Sequence, residues 1–112
     1  MTFDKSLELN KAIVDNINAY CTLKGMKLSE FEEKVGVSRG YFNRIASTGN
    51  AIALVTAKTV ADELDTTLNE IIGTGLLRQF RIAIKEKELE ALNAEKAEME
   101  KDLESLKAET AS

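Results

Sequence analysis

The chain has 112 residues, 44% of them hydrophobic, and its 15 Lys and Arg against 19 Asp and Glu give a formal net charge of −4. It contains no His and a single Cys, Cys21, which excludes histidine-based catalysis, a multi-cysteine metal site and an internal disulfide. Since it also lacks a nucleophile–base pair and a phosphate-binding Gly loop, we expect neither an enzyme nor a bound cofactor. No run of about 18 apolar residues and no signal-peptide pattern are found, so we expect a cytoplasmic protein without a membrane span.

Basic and acidic residues are unevenly distributed along the chain. Residues 1–80 contain nine basic and ten acidic side chains, whereas residues 81–112 contain six and nine. No Asp or Glu occurs between Glu33 and Asp62. The basic residues within this window are Lys34, Arg39, Arg44 and Lys58. A locally basic face on a nearly neutral segment is compatible with binding to nucleic acid.

Apolar residues at spacings of three and four predict a first helix, capped by Asp4 or Ser6 and ended by Gly25. Its apolar stripe consists of Leu9, Ile13, Ile17, Tyr20 and Cys21. We expect Cys21 to be a small core residue rather than a redox switch. A short second helix is predicted from about Lys27 to Val35.

The segment after the second helix has the layout of a helix-turn-helix. Gly36 tolerates a positive φ at the corner, Val37 provides an apolar anchor, and Ser38 is suited to cap the next helix. That third helix is predicted from Arg39 to about Ser47, with Phe42 and Ile45 facing the core. Its opposite face would then be free to enter a major groove.

Two further helices complete the predicted domain. The fourth runs roughly from Ala53 to Leu64, and its apolar stripe consists of Leu54, Ala57, Val60, Ala61 and Leu64. The fifth is short, begins at residues 65–67 and contains Leu68, Ile71 and Ile72. The Gly73-Thr74-Gly75 segment is expected to separate this compact part from the tail.

The tail, residues 76–112, has the pattern of a coiled coil. Its a/d heptad frame contains six apolar residues and is interrupted by Lys85 and Lys96. The residues expected to pair, here called the tail seam, are Ile82, Leu89, Leu92, Lys96, Met99, Leu103 and Leu106. Upstream, Leu77, Phe80 and Ile84 prefer a different frame, so the first turns are expected to pack against the globular part. We therefore predict an all-α fold, with a five-helix helix-turn-helix domain at 1–75 and a long C-terminal coiled-coil helix at 76–112.

The tail seam is expected to pair with the same seam of a second chain, because a highly charged helix cannot bury its apolar stripe on itself. Lys96 at an a position would reach Glu95 of the partner chain and favour a parallel dimer. Glu95 would face Glu100 in that arrangement, and this repulsion favours the opposite orientation. The sequence pattern leaves the orientation open.

From Ile13 to Ile72 the sequence resembles the Xre-type, phage-repressor-like helix-turn-helix regulators. The resemblance is carried by three elements, with no gap needed between Met26 and Ile72: Gly36-Val37-Ser38, Arg44-Ile45, and the fourth helix from Leu54 through Ala61 to Leu64. The pattern departs from the family at Leu28, where a Gln is usual, and at Glu32, where a small residue is usual. Glu32 is expected on the outer face of the second helix.

The resemblance implies that the third helix reads DNA. Its positions that typically reach base edges correspond to Ser38, Arg39, Gly40, Tyr41 and Arg44, with Asn43 pairing with adenine or phosphate. The two arginines suit guanine, whereas Tyr41 would donate to phosphate or touch a thymine methyl group. Lys27 and Lys58 are candidate phosphate contacts. The alternative for these residues is an ordinary solvated surface.

The leading hypothesis is a transcriptional regulator, with repression favoured, from a bacterium, a phage or a mobile element. It would bind double-stranded operator DNA as a homodimer and block polymerase, although activation is equally compatible with the sequence. The alternative is an inhibitor or adaptor that uses the helix-turn-helix scaffold to bind a protein. Glu32, the missing Gln and the overall acidity motivate this second hypothesis.

Overall fold

A computed structural model describes residues 2–111, and the side chains of residues 5–110. Within these residues the chain is all-α, as predicted, and has no strand. The helices are α1 (Thr2–Lys24), α2 (Leu28–Val35), α3 (Tyr41–Thr48), α4 (Leu54–Glu63), α5 (Leu68–Ile71) and α6 (Thr74–Ala111). Among them, none is both long enough and apolar enough to cross a membrane.

The chain divides into two compact units, one ending at Arg81 and the other beginning at Ile82. The first unit therefore extends beyond Gly75, where the sequence pattern had set the boundary. Gly75 lies inside α6 and does not separate two segments. Leu76 is buried in the core, and the Phe80 ring packs edge-on against Tyr20 at a centroid distance of 5.9 Å. The first turns of α6 thus belong to the globular unit, as the shifted apolar frame predicted.

The two units also differ in net charge. Residues 1–81 carry ten basic and ten acidic side chains, whereas residues 82–112 carry five and nine. The entire net charge of −4 therefore belongs to the second unit. The first unit, which contains the helix-turn-helix segment, is neutral overall.

The α1 helix supplies much of the core of the first unit. Ile13, Ile17 and Cys21 are buried, which confirms the predicted stripe, and Gly25 ends the helix at φ = +68°. Burial raises the pKa of the Cys21 thiol, and the charges of Glu30 and Glu32 raise it further. The helix already begins at Thr2, so the predicted caps, Asp4 and Ser6, lie within it.

Two buried asparagines on α1 also hold distant turns, a role that the apolar pattern did not indicate. The Asn10 side-chain amide donates to the Ile45 carbonyl at 3.0 Å and to the Asn50 carbonyl at 2.6 Å. The Asn16 amide donates to the Ile71 carbonyl at 2.6 Å. These bonds fix the C-terminal ends of α3 and α5 on α1, and the Ile45 carbonyl accepts the Gly49 N–H as well.

The fourth and fifth helices begin later than predicted. Leu54 opens α4 with 73% of its surface exposed, so its assignment to the inward stripe is wrong. Asp65 adopts a left-handed conformation, φ = +55°, in the turn after α4 rather than starting α5. Thr67 caps α5, and its hydroxyl accepts the Glu70 N–H at 3.3 Å. Leu68 and Ile72 are partly exposed, whereas Ile71 is buried.

The second unit is a single helical segment whose seam is exposed. Each apolar member of the tail seam has at least half of its surface accessible, from 51% for Ile82 to 64% for Met99. The ion pairs Lys85–Glu88 and Lys96–Glu100 run along the same helix, three or four residues apart. The segment thus presents an apolar stripe bordered by charge.

Phe42 is fully buried at the centre of the first unit, where its ring packs against Phe31 at 5.9 Å. We expect Phe42→Ala to lower the free energy of unfolding by about 3–5 kcal/mol, because it removes a large core side chain and leaves a cavity. Urea denaturation followed by circular dichroism would measure the loss. Ser47→Ala, at an exposed position of the same helix, is the control; equal stability of the two variants would contradict the core assignment.

Because the first unit extends to Arg81, we expect two truncated chains to differ in stability. A chain that ends after Arg81 should remain folded, because it retains Leu76 and Phe80. A chain that ends after Gly75 loses both side chains from the core, at an expected cost of several kcal/mol. Thermal melts of the two fragments would compare them. Equal melting temperatures would show that the start of α6 contributes nothing to the globular unit.

Candidate nucleic-acid interface

The α2 and α3 helices are joined by the turn that the sequence predicts, although α3 starts later. Gly36 follows α2 with φ = +82°, and the Val37 N–H donates to the Glu32 carbonyl at 3.0 Å. This pattern of bonds closes the C-terminal end of α2 and reverses the chain direction. The first residue of α3 is Tyr41, so Ser38 and Arg39 belong to the turn and Ser38 is not the N-cap.

The capping group of α3 is the side chain of Glu32. This residue is buried, with 2% of its surface exposed, and is therefore not on the outer face of α2 as predicted. Its carboxylate accepts the Gly40 N–H at 3.0 Å and the Phe42 N–H at 3.2 Å. These N–H groups have no intrahelical partner, and the N-terminal end of a helix favours negative charge. Glu32 therefore fixes α3 against α2.

Gly40, one of the positions that the resemblance assigns to base reading, has a conformational role. Its φ is +85°, a region that residues with a side chain rarely adopt. A Cβ atom built at this position would lie 3.2 Å from Nη1 of Arg44. Glycine thus permits both the turn before α3 and the close approach of the Arg44 side chain.

The Arg44 guanidinium folds back over this turn. Its Nη1 donates to the Arg39 carbonyl at 3.2 Å, and its Nη2 donates to the Ser38 hydroxyl at 2.9 Å. A guanidinium carries five N–H donors in a fixed plane, so these bonds orient the group without exhausting its donors. Four of the predicted base-edge positions, Ser38, Arg39, Gly40 and Arg44, are therefore brought together.

The remaining predicted residues of α3 differ in exposure. Asn43 is exposed, as are Arg39 and Arg44. Tyr41 is half-buried, and its ring packs edge-on against Phe42 at 5.3 Å. The Tyr41 ring therefore contributes to packing as well as to the surface of α3.

The two lysines between Glu33 and Asp62 are paired with acids on α4. Lys34 lies 2.6 Å from Glu63, and the hydrogen bond between them, together with the Glu63 charge, raises the pKa of Lys34. Lys58, a predicted phosphate contact, lies 2.5 Å from Asp62. Neither Arg39 nor Arg44 forms an ion pair with a described residue. The unpaired positive charge of this window is therefore that of the two arginines.

Lys27, the other predicted phosphate contact, is exposed at the N-cap of α2. Its backbone N–H donates to the Glu30 carboxylate at 3.2 Å. An open groove beside this helix is lined by Ser29, Glu30, Glu32, Glu33, Val37 and Arg39. Since Glu30 and Glu33 are exposed, negative charge borders Arg39 on its α2 side.

Among the described residues, no group of His, Cys, Asp and Glu side chains is arranged to hold a metal ion. Comparison of the chain with protein-family models, with curated proteins and with solved structures found no match. The resemblance to Xre-type regulators therefore rests on the sequence elements described above.

The capping role of Glu32 can be tested by substitution. Glu32→Ala should lower the free energy of unfolding by about 2–4 kcal/mol, because two buried N–H groups lose a charged acceptor. Glu32→Gln should have a smaller effect, since it keeps one acceptor oxygen but loses the charge. Chemical denaturation would rank the variants.

The exposed neighbour Glu33 provides the control. Glu33→Ala removes the same charge without removing a cap, so its effect should stay within about 0.5 kcal/mol. If Glu32→Ala and Glu33→Ala were equally stable, the carboxylate would not stabilise α3.

Proposed function

We propose that the protein is a sequence-specific DNA-binding transcriptional regulator that binds operator DNA through α3. The observation that carries this proposal is the exposed group formed by Arg39, Asn43 and Arg44 at the start of a helix whose other face is buried. A helix held in this way can enter a major groove with its first turns directed at the base edges.

The chemistry of these side chains suits base recognition. Guanidinium groups bind the O6 and N7 atoms of guanine in a bidentate manner, and a carboxamide such as that of Asn43 binds adenine in the same way. The hydrogen bonds that orient Arg44 in the free protein reduce the conformational entropy lost on binding. Ser38 and Lys27, both exposed, are suited to contact the phosphate backbone.

A dimer is part of the proposal, because one recognition helix reads too few base pairs to select one site in a genome. Two copies joined through the tail seam would read two half-sites of a two-fold operator. Repression by blocking polymerase is the simplest mechanism for such a complex. The resemblance to Xre-type regulators supports a bacterium, a phage or a mobile element as the source.

A second candidate function is a protein-binding inhibitor or adaptor. Its specific support is the negative charge of Glu30 and Glu33 next to Arg39, together with the pairing of Lys34 and Lys58 with acids. These features lower the positive potential that a phosphate backbone would meet. A salt titration with random duplex DNA separates the candidates, since DNA binding weakens steeply with salt, whereas an adaptor would not bind this duplex.

Substitution of the two arginines tests the DNA hypothesis. Duplexes selected from a random pool by the purified protein would define the operator. Arg39→Ala and Arg44→Ala should each weaken binding to it by about 1–3 kcal/mol and relax the preference at one base position. Fluorescence anisotropy with the selected duplex and its single-base variants would measure both effects.

Two controls make this test specific. Arg44→Lys keeps the charge but loses the planar fork, so it should retain non-specific binding and lose base preference. Lys58→Ala should weaken all duplexes alike, and only slightly, because Lys58 is already paired with Asp62. Unchanged affinity and preference in both arginine-to-alanine variants would exclude α3 as the reading helix.

A further inference from the structure

The exposed tail seam borders rows of charged residues whose signs depend on the heptad position. In the heptad frame, the a positions are Ile82, Leu89, Lys96 and Leu103, and the d positions are Lys85, Leu92, Met99 and Leu106. The flanking g positions are Arg81, Glu88, Glu95, Asp102 and Glu109. The flanking e positions are Glu86, Asn93, Glu100 and Lys107. Charges at e and g set partner choice and orientation in coiled coils.

We propose that the tail seam pairs with the same seam of a second copy of this chain, in parallel and in register. The inference rests on the proposed function in its dimeric form and adds the orientation, which the sequence pattern left open. It depends on the rows of charge described above and on the exposure of the seam.

An antiparallel arrangement is opposed by charge. In that orientation the g positions of one helix face the g positions of the other. All g positions from Glu88 to Glu109 are acidic, so the facing pairs in this part of the tail are repulsive.

A parallel arrangement places g positions opposite e positions of the partner chain. Arg81 then faces Glu86, and Asp102 faces Lys107, so both ends of the segment gain attractive pairs. Glu88 faces the uncharged Asn93, so this contact is not repulsive. An in-register alignment also pairs every apolar layer with an apolar layer, whereas a shift by one heptad leaves an a layer and a d layer uncovered at each end.

The parallel pairing contains repulsive contacts: Glu95 faces Glu100 of the other chain twice per dimer, and Lys85 and Lys96 each lie opposite their own copy. Lys96 lies at the adjacent a position and is 4.0 Å from Glu100 of its own helix. Its ammonium group can also approach Glu95 of the second chain, which offsets part of the repulsion. The Lys85 and Lys96 layers are therefore the weak parts of the seam and limit the affinity of the dimer.

A cysteine pair near the C-terminus tests orientation directly. Thr110 continues the a positions, whereas Ala108 lies two residues earlier at an outward f position. In a parallel, in-register dimer, Thr110→Cys should form an interchain disulfide in a glutathione redox buffer, at about tenfold greater yield than Ala108→Cys. The native Cys21 is buried and is common to both variants. Non-reducing gel electrophoresis of the full-length variants provides the readout.

A charge substitution tests the register. Glu95→Lys converts the repulsive contact with Glu100 into an attractive one twice per dimer, so the dissociation constant should fall about tenfold. Glu98→Lys makes the same change of charge at an outward position and should have little effect. Analytical ultracentrifugation of the full-length variants measures both constants.

Equal cross-linking of the two cysteine variants, or no gain for Glu95→Lys over Glu98→Lys, would overturn the proposal. A gain for Glu95→Lys without cross-linking at Thr110→Cys would also overturn it, in favour of another orientation. These measurements contain no DNA, so their failure is distinct from failure to select an operator. Selection of an operator without parallel pairing would leave the proposed function in place and remove only the orientation.

Discussion

The candidate interface depends on two buried polar side chains that hold α3 at its opposite ends. Glu32 places a carboxylate at the N-terminal end, where N–H groups point outward, and Asn10 places an amide donor on the Ile45 carbonyl near the C-terminal end. The carboxylate accepts the N–H groups at one end, and the amide donates to a carbonyl at the other, so each group supplies the kind of partner that the local helix end needs. Because the two side chains come from α2 and α1, they fix both the position and the tilt of α3 relative to the rest of the unit.

Apolar packing alone would hold α3 less specifically. Phe42 and Ile45 bury one face of the helix, but apolar contacts tolerate small rotations and shifts because they have no directional requirement. Hydrogen bonds at both ends remove that freedom. For a helix proposed to place Arg39 and Asn43 against base edges, an error of about 1 Å would be costly, since bidentate contacts require close alignment.

The architecture follows from patterns that are local in the sequence. The stripe through Ile13, Ile17 and Cys21, the corner at Gly36 and the inward Phe42 were all predicted from spacing or from residue type, and the structure confirms them. Each of these features depends on residues within one or two helical turns. Periodicity reports such features well, because it reflects which face of a helix is buried.

The features that sequence reasoning missed depend on contacts between residues far apart in the chain. Ser38 had the residue type of a cap, but Glu32, ten positions before Phe42, occupies that role. Asn10 and Asn16 bond to carbonyls 35 and 55 residues away, which no local pattern encodes. The exposure of Leu54 likewise follows from where α4 begins. The DNA-reading role of α3 and the pairing of the tail remain predictions from residue type and charge.

The close packing of Arg44 against Gly40 has a consequence for which positions of the candidate interface can vary. The side chains of Arg39 and Asn43 are exposed, so substitutions there should cost little stability. Arg44 is bonded to the turn, and Gly40 has a positive φ that disfavours any residue with a side chain. If α3 reads DNA as proposed, base preference can therefore change through Arg39 and Asn43, whereas a substitution at Gly40 would also disturb the turn that Arg44 binds.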